Sequence, residues 1–307
     1  MTQPSSSSAG LAGAHFDYVT VGHVTRDAIE RPTGAAIAQP GGGAFYSALQ
    51  AARLGLRTLI VTQGVPEEIQ ELLLPYRDEL HAHVIPAAHT TTLSTHISGT
   101  TRSQRVLAWA GAILQPIEVD AAILHFAPIA RETPTSWRGS ANFVGITPQG
   151  LIRHWEERHG VPLAGELCSV DLDPASLPED FDAAVISEQE RHNARTLFAA
   201  ARRHSAHVAV TAGSRPTTVH VCDPGTGPQL AQTAIPRVTA VRDDLGAGDV
   251  FAAAFFVALA SGRTPLDAAT FGNAAAAVRI AGVGPDAVGR RATIEALMHA
   301  GEPDSQA

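Results

Sequence analysis

Short β-rich runs alternate with helical stretches along almost the whole chain, and this alternation restricts the possible folds more than any other feature. Runs at 16–22, 57–62, 121–126, 142–146, 181–186, 207–210 and 217–222 are apolar or β-branched and of strand length, and 81–83 has the same alternation. Stretches at 66–80 and 189–204 read as helices, and the last third is helical over 247–261, 265–281 and 292–300. Strands separated by helices cannot pair through tight turns, so they build a mostly parallel sheet with helices on both faces. Residues 90–110 break the rhythm with β-branched and polar alternation, which predicts a hairpin polar on both faces, suited to covering a site. No repeat or linker divides the chain. One α/β domain is expected over 15–302, with lid segments near 24–40 and 88–110. Residues 1–14 are expected to be a disordered serine-rich tail and 303–307 a second tail.

The run Asp243-Asp244-Leu245-Gly246-Ala247-Gly248-Asp249 leads straight into an apolar helix former. The first amides of a helix lack intrahelical partners, and the aligned peptide dipoles leave about half a positive charge there. Without a Cβ at Gly246 or Gly248, an anion can approach those amides closely. Asp249 falls in the first turn, a carboxylate beside an anion cradle. A proton acceptor next to groups that hold negative charge is what phosphoryl transfer to a hydroxyl requires. The plainer reading is a tight turn followed by an acidic residue that interacts favourably with the helix dipole.

Composition removes other chemistries. All 22 basic residues are arginine, so the chain has no Walker-A lysine, no protein-kinase lysine and no Schiff-base lysine. Bound phosphate must therefore meet arginine, backbone amides or a metal. The net charge of −8 argues against nucleic acid or anionic membrane as partners. Cys168 and Cys222 form no C-x-x-C motif and suit a reducing compartment. The start has neither a basic nor an apolar signal region, and the longest apolar run is too short to span a bilayer, so a cytoplasmic protein is expected. His81 and His83 lack a third ligand at useful spacing.

Asp27 lies a few residues past the first strand, where open α/β sheets bind ligands, although an Asx-turn would use the same residue. Pro40-Gly41-Gly42-Gly43 opens a second glycine-rich helix, predicted to run through Leu54 and stop at Gly55, with Phe45, Leu49 and Ala52 on one face.

At these two stretches the chain resembles the ribokinase-like (PfkB) family of carbohydrate and nucleoside kinases. PGGGAFYSALQAARLG resembles its N-terminal signature, and DDLGAGDVF its C-terminal D-T-x-G-A-G-D-x-F signature. The resemblance covers roughly 16–300 and implies a three-layer sandwich with a small β lid. It implies Asp249 as the general base and the amides of Gly246, Ala247 and Gly248 as the anion hole. Asp27 would bind acceptor hydroxyls, while Gly41 and Gly42 would line the acceptor site and act as a hinge. Glu190, in Ser187-Glu188-Gln189-Glu190, matches the family's N-x-x-E glutamate, which positions Mg²⁺ through water. Thr211, Gly213 and Asn273 fall at the nucleotide site.

Three departures qualify the match. Tyr46 stands where the family usually has an asparagine that contacts a sugar hydroxyl, which changes the acceptor pocket. Ser187 replaces the N-x-x-E asparagine. Asp244 and Leu245 replace the usual threonines, so Asp244 should point away from the phosphates or pair with an arginine such as Arg242. Pro148-Gln149-Gly150-Leu151-Ile152-Arg153 resembles a P-Q-G-x-x-R stretch of a branch that includes plant-type myo-inositol kinases. Arg153 would reach an acceptor or phosphate, or else lie on the surface of a following helix. The implied activity is ATP- and Mg²⁺-dependent phosphorylation of a small sugar or polyol, with a cyclitol such as myo-inositol favoured. The alternatives are a nucleoside kinase, disfavoured by the 5% aromatic content, and a catalytically weak ligand sensor. The lid would close on one protomer or pair two protomers as a homodimer.

Overall fold

The computed structural model describes residues 15–30, 37–98, 101–114, 116–158, 161–163, 166–178, 180–223 and 227–299. The two tails and the centre of the first lid segment lie outside the described residues. Chain order is β1 (Phe16–Val21), β2 (Thr25–Glu30), β3 (Ile37–Gly41), α1 (Gly43–Arg53), β4 (Thr58–Gly64), α2 (Pro66–Leu73), β5 (His81–Pro86), β6 (Thr92–Ser98), β7 (Thr101–Ala108), β8 (Ile117–Phe126) and β9 (Trp137–Ile146). Four two-residue strands follow, β10 (Arg153–His154), β11 (Glu157–Arg158), β12 (Val161–Pro162) and β13 (Cys168–Ser169). The chain then forms β14 (Ala183–Ser187), α3 (Glu188–Asn193), α4 (Arg195–His204), β15 (His207–Ala212), β16 (Arg215–Asp223), β17 (Gly227–Thr233), α5 (Ala247–Ala260), α6 (Pro265–Ile280) and α7 (Arg291–His299).

The main sheet has nine strands in the order β17-β16-β15-β14-β9-β8-β1-β4-β5. Pairing is parallel from β15 to β5, and the edge β15-β16-β17 is antiparallel. One core packs α1, α5 and α6 on one face around Phe45, Leu49, Phe251, Phe255 and Phe271. The second buries Val19, Leu124, Ile146, Leu197 and Val208 on the other face. This is the expected α/β sandwich, because strands covered on both sides must be apolar on both sides.

The lid is a four-stranded sheet, β3-β2-β6-β7, in which β2 and β6 run parallel. Residues 90–110 were expected to be polar on both faces. Instead Leu93 and Val106 are buried against Ile129, Ala130 and Trp155, so one face of the hairpin has its own small core. Other boundaries shift for local reasons. The first glycine-rich stretch divides, with Pro40 and Gly41 ending β3 and Gly43 starting α1. The helix read at 66–80 ends at Leu73 in a 3₁₀ turn containing Pro75, whose ring nitrogen has no proton to donate. The helix read at 189–204 is two helices, broken where Ala194 is extended and the Arg195 amide donates to Asp171 Oδ1 at 2.7 Å. Strand β17 is polar and was not anticipated.

Candidate active site

α5 is almost wholly apolar, and Val250 through Ala258 are buried. The helix is therefore fixed by packing, and only its tip is available for chemistry. Gly246 caps it at φ +74°, a left-handed conformation that costs glycine little. The Ala247 amide donates to Asp244 O at 3.2 Å, closing the turn, and the first intrahelical bond runs from Val250 N to Gly246 O at 2.9 Å. Open space lies where a side chain on Gly248 would stand. Asp249 is half-buried in the first turn.

α1 packs one face against this tip. Gly43, Tyr46 and Ser47 are spaced i, i+3, i+4, the spacing of neighbours on a helix surface. A Cβ on Gly43 would come within 2.9 Å of Asp249 Oδ1. A Cβ on Gly246 would collide with the Tyr46 ring. Ser47 Oγ donates to Asp249 O at 3.3 Å.

The three glycines that lead into and open α1 bring a second carboxylate to the same place. Asp27 is buried on β2, and its Oδ1 accepts from Thr25 Oγ1 at 2.6 Å. Its carboxylate lies so close to Gly41 that any side chain there would clash with it. Gly42, at φ +92°, backs onto the His23 carbonyl and admits no Cβ either. One short stretch of side-chain-free backbone thus touches Asp27 at Gly41 and Asp249 at Gly43.

Behind the tip, Asp243 and Arg279 form a buried ion pair, Nη2 to Oδ2 at 3.1 Å. Arg279 Nη1 also donates to Asp243 O at 3.2 Å, and the Asp243 carboxylate accepts from Leu245 N at 3.1 Å and Gly284 N at 2.9 Å. Burial alone would raise the Asp243 pKa, but the two amides and the guanidinium hold it below its usual value. Neighbouring Asp244 is exposed, and the Arg242 amide donates to Ile280 O. Under the sheet end, the Tyr18 hydroxyl meets His125 Nδ1 at 2.9 Å and His125 Nε2 meets Thr147 Oγ1 at 3.1 Å. Burial pushes the His125 pKa down to about 3. Burial, and secondarily the charge of Asp249, raises that of Tyr18.

The residues assigned to the donor side are held in place by other contacts. Ser187 and Glu190 form a reciprocal capping box on α3, with Ser187 Oγ accepting from Glu190 N at 3.1 Å and Glu190 Oε2 accepting from Ser187 N at 2.7 Å. Thr211 Oγ1 donates to Ile186 O at 3.5 Å, and Gly213 makes the exposed turn after β15. Asn273 is buried, accepting from Thr217 Oγ1 at 2.8 Å and donating to Ala234 O at 3.1 Å, so its amide ties α6 to β16. Arg153 lies on β10 rather than on a helix. It donates to Ile129 O at 3.1 Å and Gln104 Oε1 at 3.0 Å, joining the lid strand β7 to the body. Among the described residues no cluster of three His, Cys, Asp or Glu could enclose a metal ion. A Mg²⁺ carried on donor phosphates needs only one or two carboxylates and water. Glu190 suits that, since among the described residues only its Oε2 is committed, to the Ser187 amide.

Arg279 and His125 were not singled out from sequence. A charged residue inside the apolar run of α6 was the available signal for the first, and nothing marked the second. The described helices include none long and apolar enough to cross a membrane.

Residues 177–288 match the family model described as pfkB family carbohydrate kinase. No curated protein matches the chain by sequence. Solved structures do match by fold. A pyrophosphate-dependent kinase in the ribokinase family, solved as a sulfate complex, aligns with a TM-score of 0.70 at 19% identity, over 91% of this chain and 99% of its own. Arabidopsis thaliana ribokinase complexed with ribose and ATP aligns with a TM-score of 0.69 at 18% identity, over 93% and 99%. A Methanocaldococcus jannaschii nucleoside kinase gives 0.68 at 16% identity, over 92% and 98%. The chain therefore has the ribokinase-like fold, and its residues 177–288 match the PfkB carbohydrate kinase family model.

Proposed function

We propose that this protein transfers a phosphoryl group from ATP to a hydroxyl of a small sugar or polyol, with a cyclitol such as myo-inositol as the favoured acceptor. The observation that carries this reading is the placement of two carboxylates along one run of glycines, Asp27 at Gly41 and Asp249 at Gly43, with the tip of α5 beside the second. An acceptor held by Asp27 presents a hydroxyl to Asp249. The carboxylate takes the proton as the hydroxyl oxygen bonds to the γ-phosphorus. The bond from phosphorus to the bridging oxygen breaks, and ADP leaves with its electron pair. Negative charge on the transferring group falls at the amides of Gly246 and Gly248, which are oriented before the reaction begins, whereas the Ala247 amide expected beside them is committed to Asp244 O. Mg²⁺, when bound, neutralises charge on the donor phosphates, and Glu190 would hold it through water. Asp243 and Arg279 keep the loop into α5 in place and Arg153 ties down the lid, so neither arginine is needed as a phosphate ligand.

The matched neighbours support the acceptor class, since one is a pyrophosphate-dependent kinase of this fold solved with a pyrophosphate analogue and myo-inositol. The test is product formation with myo-inositol, ribose and adenosine as acceptors, each with ATP and with pyrophosphate as donor, and Asp249→Asn as the blank. A phosphorylated polyol formed from ATP is expected. Transfer to adenosine alone overturns the acceptor, transfer from pyrophosphate alone overturns the donor, and no transfer with intact nucleotide binding leaves a ligand sensor.

A further inference from the structure

Tyr46 sits where the sequence departs most plainly from the kinase signature, and its surroundings give it a task of its own. It is 2% exposed, in the first turn of α1, with its amide donating to Gly42 O at 3.2 Å. Its ring lies directly on Gly246, leaving no room for a Cβ there. The Arg279 guanidinium is 5.4 Å from the ring centroid. At the other end of the side chain, the hydroxyl accepts from Gln39 Nε2 at 3.3 Å. Gln39 belongs to lid strand β3 and pairs in register with Asp27 on β2. A single rigid side chain therefore spans from the lid strand beside Asp27 to the glycine that caps the anion-binding helix.

We propose that Tyr46 is a positioning residue that couples the lid to the anion hole, with its hydroxyl registering Gln39 and its ring wedging Gly246 in the left-handed cap. The inference rests on the kinase reading of the same site, and it assigns Tyr46 to alignment rather than to direct contact with the acceptor. Gly42, the one residue between β3 and α1, lets the lid strand shift relative to the helix, and the Gln39–Tyr46 bond sets where that shift stops. An acceptor gripped by Asp27 fixes β2, through it β3 and Gln39, and so the ring beneath Gly246.

The experiment is a double-mutant cycle of Tyr46→Phe and Gln39→Leu, read by turnover and, separately, by calorimetric binding of inorganic sulfate in place of the donor phosphate. Phenylalanine keeps the packing on Gly246 and removes only the hydroxyl. Each single variant is expected to lower kcat about 3- to 10-fold, as loss of one hydrogen bond does, with the acceptor KM within about twofold and the melting temperature within a few degrees. The double variant should be no worse than Tyr46→Phe alone, because that variant already removes the Gln39 link along with the hydroxyl's contact to Arg279. Sulfate affinity should weaken in parallel. Single variants with wild-type kcat and sulfate affinity, or effects that multiply in the double variant, overturn the coupling. If the wild type transfers no phosphate yet both variants weaken sulfate binding, the coupling stands and the kinase reading falls.

Discussion

Asp243 and His125 both make the fold sensitive to acid, through opposite charge states. Asp243 is held below its ordinary 3.8, so its ionised form stabilises the folded state. That contribution is complete above the unfolded value and is lost as pH falls through the lower folded one. His125 is buried neutral with its pKa near 3, against an ordinary 6.5. The unfolded chain takes up that proton first, so stability declines as pH falls from 6.5 toward 3. Melting temperatures from pH 7 to pH 4 should fall, and His125→Gln should flatten the decline between 6.5 and 4. An unchanged slope would show that His125 does not drive the decline. Removing one partner of the buried Asp243–Arg279 pair, as in Asp243→Ala, should cost about 3–5 kcal/mol, because it strands a charge. At this scale the sequence was legible where chemistry is local. The glycines of 246–248 and the carboxylate of Asp249 announce themselves within four residues. The Asp243–Arg279 pair joins residues 36 apart, and no spacing rule predicts it.

In the proposed mechanism α3 carries two loads. Its capping box uses Glu190 to close the helix start, a role legible in the sequence as S-x-x-E beside the metal positioning that the family resemblance implies. Glutamine at N3 caps as glutamate does and carries no charge. Glu190→Gln should therefore change stability by less than about 0.5 kcal/mol while raising the Mg²⁺ concentration needed for half-maximal rate several-fold. A large loss of stability with an unchanged Mg²⁺ requirement would make Glu190 purely a cap. The break between α3 and α4 was not legible, since the residue that accepts from Arg195 is Asp171, 24 positions earlier. The polar β17 was missed for a related reason. An antiparallel edge strand is specified by the strand it pairs with, here β16 over seven residue pairs, more than by apolar content.

Over the whole molecule, alternation of strands and helices was enough to give the parallel sheet and its two apolar cores, because burial on both faces writes itself into every strand. The lid was visible as an interruption, but its attachment was not. Arg131, at φ +61°, places its guanidinium 3.7 Å from the centroid of the Trp155 ring, Trp109 Nε1 donates to Ala130 O at 2.8 Å, and Arg153 reaches Gln104 on β7. Glu166 bridges Arg105 on the outer strand of the lid, and the Leu167 amide donates to Gln104 O at 2.8 Å. The chain's own 166–167 segment therefore occupies the middle of that edge, which leaves little strand for a second copy to pair with. Sedimentation equilibrium should give a single 32.0 kDa species. A stable species of twice that mass would show that the lid, or another face, pairs two protomers.

In the proposed mechanism a carboxylate and backbone amides at one helix tip perform the transfer in a chain without lysine. Steady-state kinetics of Asp249→Asn against wild type, with ATP and the best polyol acceptor, test it most directly. The expected result is a kcat lower by about 10²–10⁴-fold with KM values and melting temperature nearly unchanged. A variant that keeps wild-type kcat would contradict it.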